Sequence, residues 1–241
     1  MDYQHITKTV TLPACGLEAV VREPDGIAED IIHQGLEKIQ EALPKFWAYC
    51  TVRIGDKEKV RDKDVLDLFM PDINFLGIEI FRLTTPQDDD MLRDRLLLTG
   101  ICPHCGKPEK YQVNLGGLDL MPLPDGADPR DPEFDFTLPR SRHLVRFGYL
   151  RGRDDLASGD RGGFDLKGIE MAAIRSINGS PKFGRRDINQ WPYADHRALR
   201  DEMEAKQCGY DTRVRFVHEC GKSVVSNLLT DPSFVLLGLA G

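Results

Sequence analysis

Two short cysteine-containing segments carry the residue types from which a metal site can be built. The first reads Cys102-Pro-His-Cys105-Gly-Lys, and the second reads His218-Glu-Cys220-Gly-Lys. In a Cys-x-x-Cys-Gly turn both thiolates can face one ion, because the glycine permits a tight backbone, and two such turns from distant segments supply tetrahedral zinc. The sequence therefore predicts a shared structural zinc site with Cys102, Cys105 and Cys220 as ligands.

The fourth ligand is less regular. Val217 stands three residues before Cys220, where the spacing of the first turn would place a cysteine. The nearest donor is His218, two residues before Cys220, and residues two apart in a strand lie on the same face. We therefore expect His218 to complete the metal site, with His104 and Cys208 as alternatives.

Redox chemistry is a second interpretation of Cys102-Pro-His-Cys105. The same tetrapeptide occurs in thiol–disulfide oxidoreductases, where a helix N-terminus lowers the pKa of the first thiol. Gly106 and Pro108 follow directly and disfavour that helix, so we prefer the metal site. The other three cysteines, Cys15, Cys50 and Cys208, are expected to be buried or half-buried thiols.

Other candidate chemistry is sparse. The acidic run at residues 88–90 could hold a hard cation, but it fits a solvated loop better, and the Arg- and Gly-rich run at 151–163 fits a surface loop. His143 and His196 have no paired nucleophile nearby in the sequence. With no Gly-rich phosphate loop, nucleophile elbow or His-Glu-x-x-His helix, the sequence predicts a protein that is not an enzyme.

Composition narrows the function classes. The chain has 241 residues, of which 41% are hydrophobic, and a net charge of −7 with Lys and Arg spread along it. It can bury a sizeable core, and nothing indicates a basic nucleic-acid-binding face. No apolar run is long enough to span a bilayer, and the six cysteines occur without a secretion signal, so we expect no membrane partner and reduced thiols or metal ligands in a cytoplasmic setting.

Hydrophobic periodicity predicts helices and strands in an alternating order. For the first part of the chain we expect a hairpin from His5–Leu12 and Glu18–Glu23, a helix from Ile27 to Leu43 ended by Pro44, a helix from Asp64 to Met70 closed by Pro71, a third helix capped by Asp72, and strands at Arg95–Ile101 and Tyr111–Leu115. For the second part we expect strands at Phe134–Leu138 and Leu144–Leu150, helices at Leu166–Ile177 and Ala194–Lys206 separated by a loop around 187–192, and strands flanking His218–Lys222.

The order of short landmarks suggests an internal duplication. Thr-Leu-Pro occurs at residues 11–13 and 137–139, and each copy is followed by strand, turn and helix patterns and then by a Cys-Gly-Lys turn. We therefore predict an α+β fold made of two diverged repeats, each with a β-hairpin, helices and a cysteine-turn hairpin, joined by a shared zinc-ribbon-like site. The expected boundaries are 1–120 for the first repeat, 121–133 for a Pro-rich linker and 134–241 for the second repeat.

Taken together, these motifs resemble a known family. The segment Thr11–Gly16, the Cys-Pro-x-Cys-Gly turn, the second Cys-Gly turn and Asp231–Phe234 are similar in kind and order to those of the tail and baseplate-hub assembly proteins of contractile-tailed bacteriophages. The family pattern would place a cysteine at Val217, so the resemblance does not support a tetrathiolate site.

The resemblance implies a non-enzymatic role in the virion tail or in tail assembly. Its implied partners are other tail or baseplate subunits in a homo- or hetero-oligomer, and its implied location is the virion, after assembly in the host cytoplasm. Two alternatives stay open: a zinc-ribbon nucleic-acid-binding protein, and a thiol–disulfide oxidoreductase.

Overall fold

The protein combines helices with several small antiparallel sheets. A computed structural model describes residues 5–85, 94–154 and 166–228. Helix accounts for 37% and strand for 29%, so the fold is mixed α/β. The acidic run at 88–90, most of the 151–163 run and the motif Asp231–Phe234 lie outside the described residues.

Helices and strands alternate in an order that is similar in the two parts of the chain. The first part contains β1 (Thr7–Thr11), β2 (Glu18–Arg22), α1 (Gly26–Gln34), a 3₁₀ turn (Leu36–Lys38), α2 (Ile39–Cys50), β3 (Thr51–Ile54), α3 (Asp62–Leu66), α4 (Met70–Arg82), β4 (Arg95–Ile101), β5 (Pro108–Asn114), a second 3₁₀ turn (Leu115–Gly117) and β6 (Leu120–Met121). The second part contains β7 (Glu133–Thr137), β8 (Leu144–Gly148), α5 (Leu166–Ala173), β9 (Ile174–Ile177), α6 (Arg185–Asn189), α7 (Tyr193–Ala205), β10 (Gly209–Tyr210), β11 (Arg213–Val217) and β12 (Ser223–Asn227).

The strands form two three-stranded sheets and three two-stranded pairs. The sheets have the orders β1-β2-β3 and β7-β8-β9, and the pairs are β4-β5, β11-β12 and β6-β10. Every pairing between these strands is antiparallel. The predicted strands of the β1-β2, β4-β5, β7-β8 and β11-β12 hairpins are therefore confirmed.

The turn between β1 and β2 is anchored by a buried carboxylate. Leu12 N–H donates to the carbonyl of Leu17 (2.8 Å), and Gly16 adopts a φ of +68° that suits glycine. The two N–H groups between them bind Asp72 of α4, Ala14 to Oδ1 (2.7 Å) and Cys15 to Oδ2 (3.2 Å). The hairpin is thereby attached to the first turn of a helix more than fifty residues away.

The turn between β7 and β8 has the same arrangement. Leu138 N–H donates to the carbonyl of His143 (2.9 Å), and Arg142 has a φ of +60°. The N–H groups of Arg140 and Ser141 bind the two carboxylate oxygens of Asp195 in α7, at 2.8 and 2.9 Å. A buried carboxylate near the start of a 13-residue helix holds the hairpin turn in each part.

The single helix predicted from Ile27 to Leu43 is wrong in two ways: it is interrupted at Gly35, and its second half continues past Pro44. The chain leaves the helix at Gly35 and starts α2 at Ile39, and α2 runs through Pro44 to Cys50. A Cβ at Gly35 would lie 2.2 Å from Cβ of Ala42, so only glycine allows α2 to fold back this closely. The apolar spacing continues across the break, which is why periodicity alone did not reveal it.

The roles predicted for Pro71 and Asp72 also need correction. Pro71 lies in the first turn of α4, where its missing N–H costs no hydrogen bond, and it does not close the preceding helix, which ends at Leu66. Asp72 lies inside α4 and binds the β1-β2 turn instead of capping the helix. The predicted helix itself is confirmed over Met70–Arg82.

Two predictions in the second part are wrong in their boundaries. The helix predicted over Leu166–Ile177 ends at Ala173, and Ile174–Ile177 pairs with β8, as suits its β-branched residues. The loop predicted around 187–192 contains the end of α6, whose start is fixed by a hydrogen bond from Gly184 N–H to the Asp187 carboxylate (2.7 Å).

Packing connects the last hairpin to the first part of the chain. One cluster of buried apolar side chains includes β1, β2, α2, α4, β4 and β5 residues together with Leu228, and Phe216 packs against it. A smaller cluster lies between the β7-β8-β9 sheet and α7, around Leu138 and Leu199. The segment 121–133, predicted as a linker, starts in β6, which pairs with β10, and ends in β7.

Folding shifts the pKa values of the two anchoring carboxylates in opposite directions. Burial raises the pKa of Asp72 from 3.8 to about 6, even though two backbone N–H groups favour its charged form. Burial also opposes ionisation of Asp195, but the N–H groups of Arg140 and Ser141 and the nearby His143 outweigh it and lower its pKa. The ionised Asp72 therefore costs stability, whereas the ionised Asp195 contributes it.

We predict that Asp72→Asn and Asp195→Asn have opposite pH dependences. Because the pKa of Asp72 is higher in the folded state, wild type should lose about 2 kcal/mol relative to Asp72→Asn between pH 4.5 and 7. Because the pKa of Asp195 is lowered by folding, wild type should instead lose stability relative to Asp195→Asn as the pH falls below 4. Urea unfolding of the three proteins across this range measures both differences, and parallel curves for the two variants would contradict the prediction.

Candidate metal centre

The four predicted ligands lie in the turns of two hairpins, β4-β5 and β11-β12. In the first turn Cys102 N–H donates to the carbonyl of Lys107 (2.9 Å), and Gly106 N–H donates back to the carbonyl of Cys102 (2.8 Å). Gly106 has a φ of +73°, which the turn requires and glycine provides. This geometry resembles the turn at Leu12, with Cys102 and Cys105 at the positions of Leu12 and Cys15.

The second turn is one residue shorter but is closed in the same way. His218 N–H donates to the carbonyl of Lys222 (2.9 Å), and Gly221, with a φ of +75°, donates to the carbonyl of His218 (2.8 Å). His218 therefore occupies the position of Cys102. Val217 ends β11 as Ile101 ends β4, and both are largely exposed, at 70% and 74%. Sequence spacing identified His218 as the nearest donor by assuming a strand, whereas in the structure residues 218–221 form the turn itself.

The side chains of the four residues converge. Cys102, Cys105, His218 and Cys220 each offer a ligand atom, and these atoms all lie within 4.8 Å of one another. Sγ of Cys102 is 3.9 Å from Sγ of Cys220, and Sγ of Cys105 is 3.7 Å from Nδ1 of His218. Each short distance joins one hairpin to the other, so the four side chains could bind one metal ion between the hairpins.

Ring stacking holds the two hairpins in register for this arrangement. The ring of Tyr111 on β5 stacks on that of Phe216 on β11 with centroids 4.3 Å apart and planes at 6°. Tyr111 also donates a hydrogen bond to Oγ of Ser226 on β12 (3.4 Å). Two-stranded hairpins are only marginally stable alone, so this contact helps to fix the relative position of the two turns that carry the four candidate ligands.

The thiols differ in how readily they ionise. Burial opposes ionisation of Cys102, but hydrogen bonds from the backbone N–H groups of His104 and Cys105 and from neighbouring thiols outweigh it and lower its pKa. A hydrogen bond from the Lys107 backbone favours the Cys105 thiolate, but burial and the adjacent sulfurs of Cys102 and Cys220 raise its pKa. Without a cation, the first thiolate to form repels the negative charge of a second one. A bound metal ion would remove this repulsion.

Burial divides the cluster into an inner and an outer pair. Cys102 and His218 are buried, at 1% and 3% exposed, whereas Cys105 and Cys220 are exposed. A metal ion could therefore enter from the solvent side. The alternatives to His218 do not belong to the cluster: Cys208 is buried beside Tyr149 in a separate apolar group, and His104 is exposed and is not one of the four clustered residues.

The remaining candidates from the sequence have other surroundings. Cys102-Pro-His-Cys105 forms a hairpin turn that continues into β5, so no helix begins there to lower a thiol pKa. Nδ1 of His196 pairs with the buried carboxylate of Glu170 at 2.8 Å, and His143 packs edge-on against Trp191. Burial raises the pKa values of Cys15, Cys50 and Cys208 to about 12, 12 and 11, as expected for buried thiols.

Sequence reasoning missed one residue of the site, Glu109. Its carboxylate, on β5, lies 3.3 Å from Nε2 of His218 and accepts a hydrogen bond from Glu219 N–H at 3.3 Å. Strand alternation places residue 109 on the opposite face from 110, but nothing in the sequence shows that this face meets the second turn.

Comparisons with known proteins do not identify the chain: no family model, no curated protein and no solved structure matches it. Among the helices of the described ranges, none is both long and apolar enough to cross a bilayer.

Thiol reactivity should separate the two classes of cysteine. In metal-loaded protein we expect slow reaction of all six cysteines with a disulfide reagent at pH 7.5. After chelation, while circular dichroism still shows folded protein, Cys102, Cys105 and Cys220 should react faster, Cys102 first because its pKa is lowered and Cys105 later because its pKa is raised. The other three should react only after denaturation, because burial keeps them protonated. Mass mapping identifies the labelled residues. Labelling of Cys50 or Cys208 in the folded protein, or no effect of the chelator, would contradict the assignment.

Proposed function

We propose that Cys102, Cys105, His218 and Cys220 bind one zinc ion as a structural site. Zinc takes thiolate sulfur at about 2.3 Å and imidazole nitrogen at about 2.0–2.1 Å in a tetrahedron, which separates two sulfurs by about 3.8 Å and a sulfur from a nitrogen by about 3.6 Å. The corresponding distances of 3.9 and 3.7 Å support this choice of ion. A set of three cysteines and one histidine is also typical of zinc.

The single observation that carries the proposal is that the protein supplies four convergent ligands. Catalytic zinc sites have three protein ligands and keep the fourth position for water or substrate, whereas structural sites are closed. A closed site has no position at which a substrate oxygen could be activated. We therefore assign the ion a role in stability.

The proposed ion stabilises the contact between two hairpins that are distant in the chain. Cys102 and Cys220 are 118 residues apart, and neither turn has enough ligands alone. For structural zinc, binding free energy is folding free energy, about 10 kcal/mol or more in small zinc modules. Zinc would thus fix the last hairpin on the core formed by the first part of the chain.

We also propose that the chain consists of two diverged repeats with boundaries near 1–120 and 134–241. The support is that each part places in order a three-stranded sheet, a short helix, a 13-residue helix and a two-stranded hairpin. The equivalent hydrogen bonds to Asp72 and Asp195 add further support, since they are specific long-range contacts that occur in both parts. In this scheme the zinc joins the equivalent hairpins of the two repeats.

For the biological role we propose a non-enzymatic component of a contractile bacteriophage tail, acting in the baseplate hub or in its assembly. The order of the Thr-Leu-Pro and Cys-Gly motifs supports this proposal. Other tail or baseplate subunits would be its partners, in the virion or in the host cytoplasm during assembly. The competing zinc-ribbon interaction with nucleic acid is less favoured because Glu109 and Glu219 stand at the metal turns.

Removing a thiol ligand should remove the zinc and destabilise the protein. Native mass spectrometry of wild type should show one zinc per chain, and Cys102→Ser and Cys105→Ser should each lose it, with a large fall in the melting temperature. His104→Ala is the matched control, because His104 lies in the same turn, is exposed and is outside the cluster. Unchanged melting temperatures and solubility in both serine variants would rule out a structural zinc.

The tail proposal is tested in the genome that encodes the chain. That genome should encode a contractile tail, and deletion of the gene should give particles without complete tail tips in negative-stain images. A Cys102→Ser allele should reproduce the defect and a His104→Ala allele should not. Normal infectious tails in the deletion strain would contradict the proposal, and mass spectrometry of purified virions would show whether the protein stays in the particle.

A further inference from the structure

The imidazole ring of His218 has a contact at each of its two nitrogens. Nδ1 lies 3.0 Å from the backbone N of Cys220 and 3.7 Å from Sγ of Cys105. Nε2 lies 3.3 Å from a carboxylate oxygen of Glu109, on β5 of the other hairpin. The ring is buried, at 3% exposed, so these contacts decide how it is oriented and protonated.

The chemistry of the two contacts defines the tautomer. A backbone N–H can only donate and a carboxylate can only accept, so Nδ1 presents its lone pair and Nε2 carries the proton. Nδ1 is also the ring nitrogen nearer to Cys105 Sγ, since Nε2 is 3.9 Å away. Nδ1 has a single lone pair, which accepts the Cys220 N–H in the absence of an ion, so a zinc ion bound at Nδ1 would replace that hydrogen bond.

We propose that Glu109 is the positioning residue of the metal centre: its carboxylate, 3.3 Å from Nε2 of His218, favours a proton on that nitrogen and so leaves Nδ1 as the metal ligand. This inference rests on the zinc site proposed above. A carboxylate that accepts the distal N–H of a ligating histidine fixes the ring orientation and increases the basicity of the ligand nitrogen. Nothing in the Cys-Gly turns themselves supplies this acceptor.

Glu109 also acts on the backbone of the second turn. The oxygen that lies beside His218 Nε2 accepts the hydrogen bond from Glu219 N–H at 3.3 Å. One carboxylate on the first hairpin thus contacts both a ligand ring and the turn that carries it. Its side chain is 21% exposed, so solvent competes only partly with these contacts. The second turn is therefore held close to the first before an ion binds.

The tautomer can be measured on the wild-type full-length protein. With ¹⁵N-labelled histidine and one bound zinc, long-range ¹H–¹⁵N correlation spectra should show His218 with a metal-bound Nδ1 and a protonated Nε2. A zinc-bound Nε2 would overturn the role of Glu109 while leaving the zinc site in place. A wild-type protein that binds no zinc would overturn both proposals.

Zinc affinity provides the second readout. In competition with a chromophoric chelator, Glu109→Ala should weaken zinc binding about 10- to 100-fold, the range seen for loss of such outer partners. Glu109→Gln should lie between this variant and wild type, because its amide oxygen still accepts a hydrogen bond. Glu219→Ala is the charge-matched control at the neighbouring turn and should change the affinity less than threefold. Equal affinities for Glu109→Ala and Glu219→Ala would overturn the inference, and the spectra of wild type decide it if Glu109→Ala does not fold.

Discussion

The structure depends on satisfying the backbone N–H groups that a tight hairpin turn directs at one point. The three turns that begin at Leu12, Cys102 and Leu138 each present two adjacent N–H groups, and the strands offer no carbonyl that can accept their hydrogen bonds. At Ala14 and Cys15 the acceptor is the carboxylate of Asp72, and at Arg140 and Ser141 it is that of Asp195. In the turn of β4-β5 the corresponding N–H groups, those of His104 and Cys105, favour the ionised form of Cys102 and so lower its pKa. The same backbone arrangement thus attaches a hairpin to a helix in two turns and carries two of the four proposed metal ligands in a third.

This constraint explains why the hairpins are placed where they are. A buried carboxylate in a helix has a fixed position, so the two hairpins that bind one are fixed relative to their own helices. The β4-β5 hairpin packs on the main apolar cluster, and the β11-β12 hairpin is positioned against it through the stacked rings of Tyr111 and Phe216 and through the ligand cluster. Their turns therefore need an interaction that is strong and local, which is the role we assign to the ion.

The sequence predicted a large part of the fold because local patterns and tertiary packing agree there. Strand alternation located the four hairpins, and apolar spacing located the helices at Met70–Arg82 and Tyr193–Ala205. The prediction failed where a long-range contact overrides the local pattern. Gly35 ends a helix because Ala42 packs against it, and Ile174–Ile177 forms a strand because β8 lies beside it.

For the metal centre, the sequence indicated the donors but not their geometry. Cys102, Cys105 and Cys220 could be named from residue type and spacing, since few other roles suit paired Cys-Gly turns. The equivalence of His218 and Cys102 depends on a turn shortened by one residue, and Glu109 depends on how two hairpins face each other. Such features are set by tertiary structure and have no signal in the linear pattern.

The position of the ligand pairs along the chain has a consequence for synthesis. Cys102 and Cys105 are made early, whereas His218 and Cys220 are made more than a hundred residues later. During translation a cation would meet only two of its four proposed ligands until the last hairpin has emerged, and the ring of Tyr111 stays without its stacking partner Phe216 until then. In our proposal, full metal coordination would therefore mark a chain that has been translated past residue 220 and folded on itself.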